Sequence, residues 1–207
     1  MKIGIIQASS QVSKNDILYS LTMQKTNHEV INFGCFKDEK IIYSYNEISI
    51  LIGLLLSSKA VDFIITGCSS GQGMMLACNN MPGVICGYTP TPQDAFLFGR
   101  INNGNAISIP LGLNFGWAGE INLGYIIEAL FEQPLGIGYP KENAKRKIED
   151  TNVLKEINTK SKVNIVELLD SLDDQLITKI MTKQNVINYI IENGKDSIVD
   201  NWIKKNM

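Results

Sequence analysis

The run VDFIITGCSSGQGMMLACNN, from Val61 to Asn80, holds the pattern that decides the fold. Val61 to Thr66 are mostly apolar and rich in isoleucine, as a buried strand is, and mostly small residues follow from Gly67 to Gly73 before a segment of helical composition. A strand that passes through a glycine-rich turn into a helix is the repeating unit of a parallel α/β sheet. Four similar strands surround it: Lys2 to Ile6, Glu29 to Phe33, Gly83 to Gly87 and Asn105 to Pro110. Apolar residues at helical spacing lie between them, such as Ile17, Leu18 and Leu21, and then Ile48, Leu51, Ile52 and Leu55. Parallel strands need crossover connections. The pattern therefore predicts an α/β fold, a doubly wound parallel five-stranded sheet with helices on both faces, over residues 1–140.

From about Lys141 the character changes. Glycine disappears until Gly194, and apolar residues recur at helical spacing, among them Val163, Val166, Leu169, Ile177, Ile180, Ile187 and Ile190. This predicts a helical C-terminal extension over residues 141–207, with the polar stretch from Glu156 to Lys162 as a linker before the apolar helical tail. The extension carries no catalytic motif and its charges are mixed in sign, so its expected role is packing, on the sheet domain or on a second subunit.

Composition narrows the class of partner. The chain has 207 residues, 44% hydrophobic and 19% charged, with a formal net charge of -2, so no broad field gathers nucleic acid or an anionic membrane. No apolar run is long enough to span a bilayer, and Met1 to Ser10 lack a signal-peptide pattern. A cytoplasmic protein is expected. The four cysteines, Cys35, Cys68, Cys78 and Cys86, lack the close pairing of a zinc or dithiol site and read as free thiols.

In an open parallel sheet, ligands bind outside the carboxyl ends of the strands. The loops expected there are Gln7 to Gln11, Gly67 to Gly73, Tyr88 to Pro92 and Leu111 to Trp117. The second exposes successive amides at a helix N-terminus, which favours an oxyanion or a phosphate. Cys68 stands just before these amides, where a thiolate is favoured and can act as base or nucleophile. Three other glycine-loop chemistries fail on their own residues. A nucleotide P-loop needs lysine after its last glycine, but Met74 follows Gly73. Met74 also stands where a cysteine phosphatase carries its arginine, and a dinucleotide fingerprint belongs after the first strand, where Gln7-Ala8-Ser9-Ser10 is found instead.

These residues resemble the ribose-5-phosphate isomerase B family, which includes the paired galactose-6-phosphate isomerase subunits. Asn27-His28-Glu29-Val30-Ile31-Asn32-Phe33-Gly34 is similar to the family's G-H-E-V-I-D-F-G segment. Cys68-Ser69-Ser70-Gly71-Gln72-Gly73, then Ala77-Cys78-Asn79-Asn80 and Gly83, match its C-G-T-G-x-G motif and the helix after it with the spacing kept. Ile101-Asn102-Asn103-Gly104-Asn105 corresponds to its H-N-D-x-N segment. The resemblance covers roughly residues 1–135.

The resemblance implies proton transfer between neighbouring carbons of an open-chain sugar or sugar phosphate, through an enediolate, without metal or other cofactor. Cys68 would be the base, and Ser70 would replace the family's threonine. Ser69 lies in the same loop, and the amides around Gly71 and Gly73 would hold the enediolate oxygen. Gln7, Ser9 and Ser10 in the first loop suit sugar hydroxyls. A homodimer or larger homo-oligomer is expected, with Asn102 or Asn103 of one subunit completing the pocket of another. Arg146, flanked by Lys145 and Lys147, stands near the family's phosphate-binding arginines. The chain also departs from the pattern. The family's Asp-His pair falls on Ala8 and Ser9, its ring-opening histidine falls on Ile101, and the glutamate some members use as base falls on Met74. His28, the sole histidine, reads as structural. The alternative expectation is a sugar-phosphate-binding protein or subunit that keeps the fold without turnover.

Overall fold

The computed structural model describes residues 1–207. Five strands, β1 (Lys2–Ile6), β2 (Glu29–Gly34), β3 (Phe63–Cys68), β4 (Cys86–Tyr88) and β5 (Ala106–Pro110), form one sheet in the order β2-β1-β3-β5-β4. Every pairing is parallel. The strand order reverses direction between β1 and β3, which opens a crevice at their carboxyl ends.

On one face lie α1 (Asn15–Lys25), α4 (Pro92–Leu97) and α5 (Gly119–Phe131). They close a core in which Leu18, Ala95, Leu123 and Leu130 meet Ile5, Ile65 and Ile107 of the strands. On the other face lie α2 (Tyr45–Ser57) and α3 (Gln72–Asn80), packed on Ile6, Ile64 and Ala106. Helix α2 starts at a capping box, with the Ser44 amide donating to Glu47 at 2.7 Å and the Asn46 amide donating to the Ser44 hydroxyl at 3.2 Å. Every residue from Glu47 to Leu55 is buried, so α2 is apolar almost all round and has to be covered on its outer side as well.

The C-terminal helices supply that cover. They are α6 (Ala144–Lys160), α7 (Ile165–Asp170), α8 (Asp174–Met181), α9 (Gln184–Asn193) and α10 (Ser197–Lys205). Ile165, Leu169, Ile180, Ile187, Ile190 and Trp202 share one hydrophobic core with Ile48, Leu51 and Leu55 of α2. Side chains of Asn164, Asp173 and Asp196 cap α7, α8 and α10, which explains how three short helices begin sharply. The expected linker is corrected here, because α6 continues through Glu156 to Lys160 and the break falls after it. Polarity marked a solvent-facing helix surface, supported by the Glu156–Lys160 pair one turn apart. No helix is long and apolar enough to cross a membrane.

Candidate functional site

The β3–α3 turn occupies the crevice between β1 and β3. Gly71 takes a left-handed conformation, φ 76°, and caps α3. A methyl group there would lie 2.8 Å from the Tyr88 ring and 2.9 Å from backbone atoms of Ile109 and Pro110, so only glycine fits both the angle and the space. From below, the buried Ser108 hydroxyl donates to the Gly71 carbonyl at 2.6 Å. The Cys68 and Ser69 carbonyls accept from the Leu111 and Gly112 amides, each at 3.0 Å, which ties the turn to the β5–α5 loop. The turn is thus braced while the amides of Gly71, Gly73 and Met74 donate to no acceptor within the chain. Such free amides at a helix N-terminus are suited to a developing oxyanion.

Cys68 ends β3 at the foot of this turn, 7% exposed. Ser69 and Ser70 follow it, with Ser69 exposed and Ser70 half-buried. The first loop comes against them: the Ala8 amide donates to the Gly67 carbonyl at 3.0 Å, and the Gln11 side-chain amide donates to the Ser69 hydroxyl at 2.9 Å. Ser69 in turn reaches the exposed Ser10 hydroxyl at 3.5 Å. The half-buried Ser9 accepts from the Tyr43 amide at 2.9 Å. The structure therefore brings Cys68, Ser69, Ser70, Gly71, Gly73, Ser9 and Ser10 to one end of the sheet.

Other expected residues lie elsewhere. Gln7 is fully buried, its amide donating to the Cys35 carbonyl at 2.7 Å and its oxygen accepting from Asn15 at 2.8 Å. Both ends are satisfied inside the protein, so Gln7 is corrected from a substrate-binding to a supporting position beneath the first loop. Asn102 and Asn103 precede β5, at the amino ends of the strands and away from Cys68 of the same chain. Arg146 is exposed on α6 and paired with Asp150 at 3.2 Å, and α6 is tied to that same amino-end region by the Thr151 hydroxyl, which donates to the Ile101 carbonyl. His28 packs edge-on against Phe131, with ring centroids 5.6 Å apart.

Tyr45 and Ser108 escaped the sequence reading, whereas Tyr88 and Trp117 lie at the bounds of two loops expected at the strand ends. The Tyr45 ring closes over Gly73, 3.2 Å from where a methyl group would stand, and Tyr88 does the same at Gly71. Beside Tyr88, a cavity of about 420 Å³ is lined by Ile109, Leu113, Phe115 and a fully exposed Trp117. A polar residue in the apolar strand β5 was the one available signal for Ser108.

Replacing Gly71 by alanine is expected to cost about 1–3 kcal/mol through the left-handed strain alone, with the clash adding to it. Chemical denaturation should read this as a lower midpoint, and a midpoint equal to the wild type's would contradict the rigid turn.

Buried thiols and a buried phenol also set a pH dependence. Burial pushes the Cys35 thiol up, partly offset by the Ser9 hydrogen bond and by Lys183. Burial likewise raises Tyr43, while a hydrogen bond with Cys78, followed by burial, raises Cys86. An acid whose folded-state pKa is raised stabilises the fold fully below its ordinary value and loses that contribution as pH climbs through the folded value. Unfolding free energy should therefore decline as pH rises above the usual thiol value of 9.0. Urea titrations from neutral to alkaline pH test this, and a flat profile would contradict it.

Comparison with known proteins fits this geometry. The family model described as Ribose/Galactose Isomerase matches residues 3–122. A solved 4-deoxy-L-threo-5-hexosulose-uronate ketol-isomerase, complexed with a tartrate, is 37% identical, covering 100% of this chain and 99% of its own, with a TM-score of 0.95. A ribose-5-phosphate isomerase from Vibrio parahaemolyticus is 35% identical over 100% of this chain and 99% of its own, also with a TM-score of 0.95. The type B ribose 5-phosphate isomerase of Trypanosoma cruzi, 18% identical, covers 75% of this chain and 99% of its own with a TM-score of 0.61, and shows the shared fold. A comparison with curated proteins finds no match.

Proposed function

Since the chain belongs to the ribose/galactose isomerase family, we propose that it is an aldose–ketose isomerase that moves a proton between neighbouring carbons of an open-chain sugar through an enediolate. The observation that carries this reading is the braced Cys68–Gly73 turn, with a cysteine at its foot and free amides at its rim. Cys68 acts as the base. The amides of Gly71 and Gly73 hold the oxygen on which charge develops, and Ser69, Ser70, Ser9 and Ser10 meet sugar hydroxyls.

The substrate is an acidic sugar, and a uronate is favoured over a sugar phosphate. In support, the full-length relative that acts on a hexosulose-uronate is also complexed with a tartrate, a small hydroxy-dicarboxylate. The test is a panel of hexosulose-uronates and pentose and hexose phosphates, followed by solvent deuterium uptake at the carbon next to the carbonyl. Uptake from a uronate alone supports the reading. Binding of any of these sugars without uptake would favour a non-catalytic sugar-binding subunit.

The active form is a homodimer or larger assembly, in which Asn102, Asn103 and Arg146 of a second copy approach the Cys68 crevice. Support comes from α6, the helix that carries Arg146, whose Val153, Leu154 and Ile157 leave an apolar stripe exposed. Val153→Glu with Ile157→Glu is expected to shift sedimentation toward monomer while leaving the helical circular dichroism intact. A wild type that sediments only as monomer at micromolar concentration would overturn the assembly.

A further inference from the structure

The wall of the crevice beside β2 is a loop, residues 35–44, without helix or strand of its own. Its last residues are stitched to the first loop in both directions. The Ser9 amide donates to the Tyr43 carbonyl at 3.0 Å, and the Tyr43 amide donates to the Ser9 hydroxyl at 2.9 Å. Immediately beyond the loop, Tyr45 closes over Gly73. The position of this loop therefore holds the first loop at Ser9 and sets an aromatic ring against the Cys68 turn at Gly73.

The loop is held from behind by the junction of α8 and α9. Lys179 pairs with Glu47 at 2.6 Å, the Thr182 hydroxyl meets the Tyr43 hydroxyl at 2.8 Å, and the Asn185 side chain donates to the Phe33 carbonyl at 3.0 Å. At the centre is Lys183, whose side chain is 2% exposed and paired with Glu39. Its ammonium stands 5.3 Å from the Phe36 ring centroid and 5.6 Å from that of Tyr43. A lysine buried this deeply is tolerated only where its partner is fixed, and removing the cation strands the partner carboxylate. Glu39 is already short of donors, since its second oxygen is buried without a hydrogen bond.

We infer that, given the proposed reaction, Lys183 is a positioning residue for the isomerase site, acting through Glu39 and Tyr43 to hold the first loop at Ser9 and the Tyr45 ring over Gly73 of the Cys68 turn. The C-terminal helices thereby take a part in catalysis beyond covering α2.

The experiment compares wild type with Lys183→Met, Lys183→Arg and the double variant Glu39→Gln/Lys183→Met. Three quantities are read: thermal midpoint, amide hydrogen exchange resolved at single residues, and kcat and KM on the substrate the panel identifies. In Lys183→Met, exchange at the Ser9 and Tyr43 amides should rise by about 10-fold, with Leu111 and Gly112 unchanged. The same variant should lose about 10-fold in kcat with a smaller change in KM. Lys183→Arg keeps the charge and should recover most of both. The double variant leaves no stranded carboxylate, so it should regain thermal stability without regaining kcat. A uniform rise in exchange at all amides, or a double variant restored in kcat together with stability, would reduce Lys183 to a packing role and overturn the inference. If the wild type turns over no sugar, the proposed reaction fails, whereas local exchange at Ser9 and Tyr43 still decides whether Lys183 positions the loop.

Discussion

Cys68→Ala is expected to abolish deuterium uptake while leaving sugar binding largely intact. A general base acts on the reacting C–H bond and contributes little to ground-state affinity, so its loss appears in kcat. The usual magnitude is about 10²- to 10⁴-fold. The backbone of the turn should survive the change, because Cys68 is tied to Leu111 through its carbonyl and Gly71 to Ser108 through its own. Serine is expected to fare little better than alanine. Its hydroxyl is too weakly acidic to supply an anion near neutral pH without a partner base, and the sole histidine, His28, packs against Phe131. The measurement is exchange and equilibrium binding for wild type, Cys68→Ala and Cys68→Ser on one substrate. Unchanged exchange in both variants would remove Cys68 from the mechanism.

The strands were legible because isoleucine-rich runs between glycine turns leave little else to form. The run Lys2 to Ile6 coincides with β1, whereas β3 begins at Phe63, inside the predicted run, after the Val61 and Asp62 that lead into it. The Cys68 turn was legible for a similar reason, since left-handed Gly71 and crowded Gly73 are local demands that show as glycine in the chain. Contacts made across the fold leave no such mark. Gln7 looked like a loop residue at a strand end, but its neighbours Asn15 and Cys35 enclose it, and only the tertiary arrangement reveals that. Lys183 read as one of many mixed charges in the tail. Its burial depends on Glu39 and Tyr43, which lie far away in the chain. The apolar run of α2 did carry a readable message. A helix buried all round needs cover on both sides, and that need links the N-terminal sheet to the C-terminal helices.

Removing residues 161–207 is accordingly expected to prevent stable folding of the whole chain. Helices α7 to α10 bury Ile165, Leu169, Ile180, Ile187, Ile190, Val199, Trp202 and Ile203 against or alongside α2. A fully buried side chain of this kind contributes about 1.5–3 kcal/mol. A few of them therefore match the roughly 5–15 kcal/mol that separates folded from unfolded states in a typical domain. The cut also strips the outer side of α2, leaving Leu51, Leu54 and Leu55 with less cover, and such a patch promotes association between chains. It removes Lys179 and Lys183 as well, so Glu47 and Glu39 lose their ion-pair partners. The truncated chain should be insoluble or, where soluble, lack a cooperative thermal transition. Circular dichroism melting and sedimentation of the two chains provide the measurement. A truncated chain that melted cooperatively near the wild-type midpoint and stayed soluble would show that the sheet and its two helical faces stand without the C-terminal helices, and the shared core would then not be what holds α2 in place.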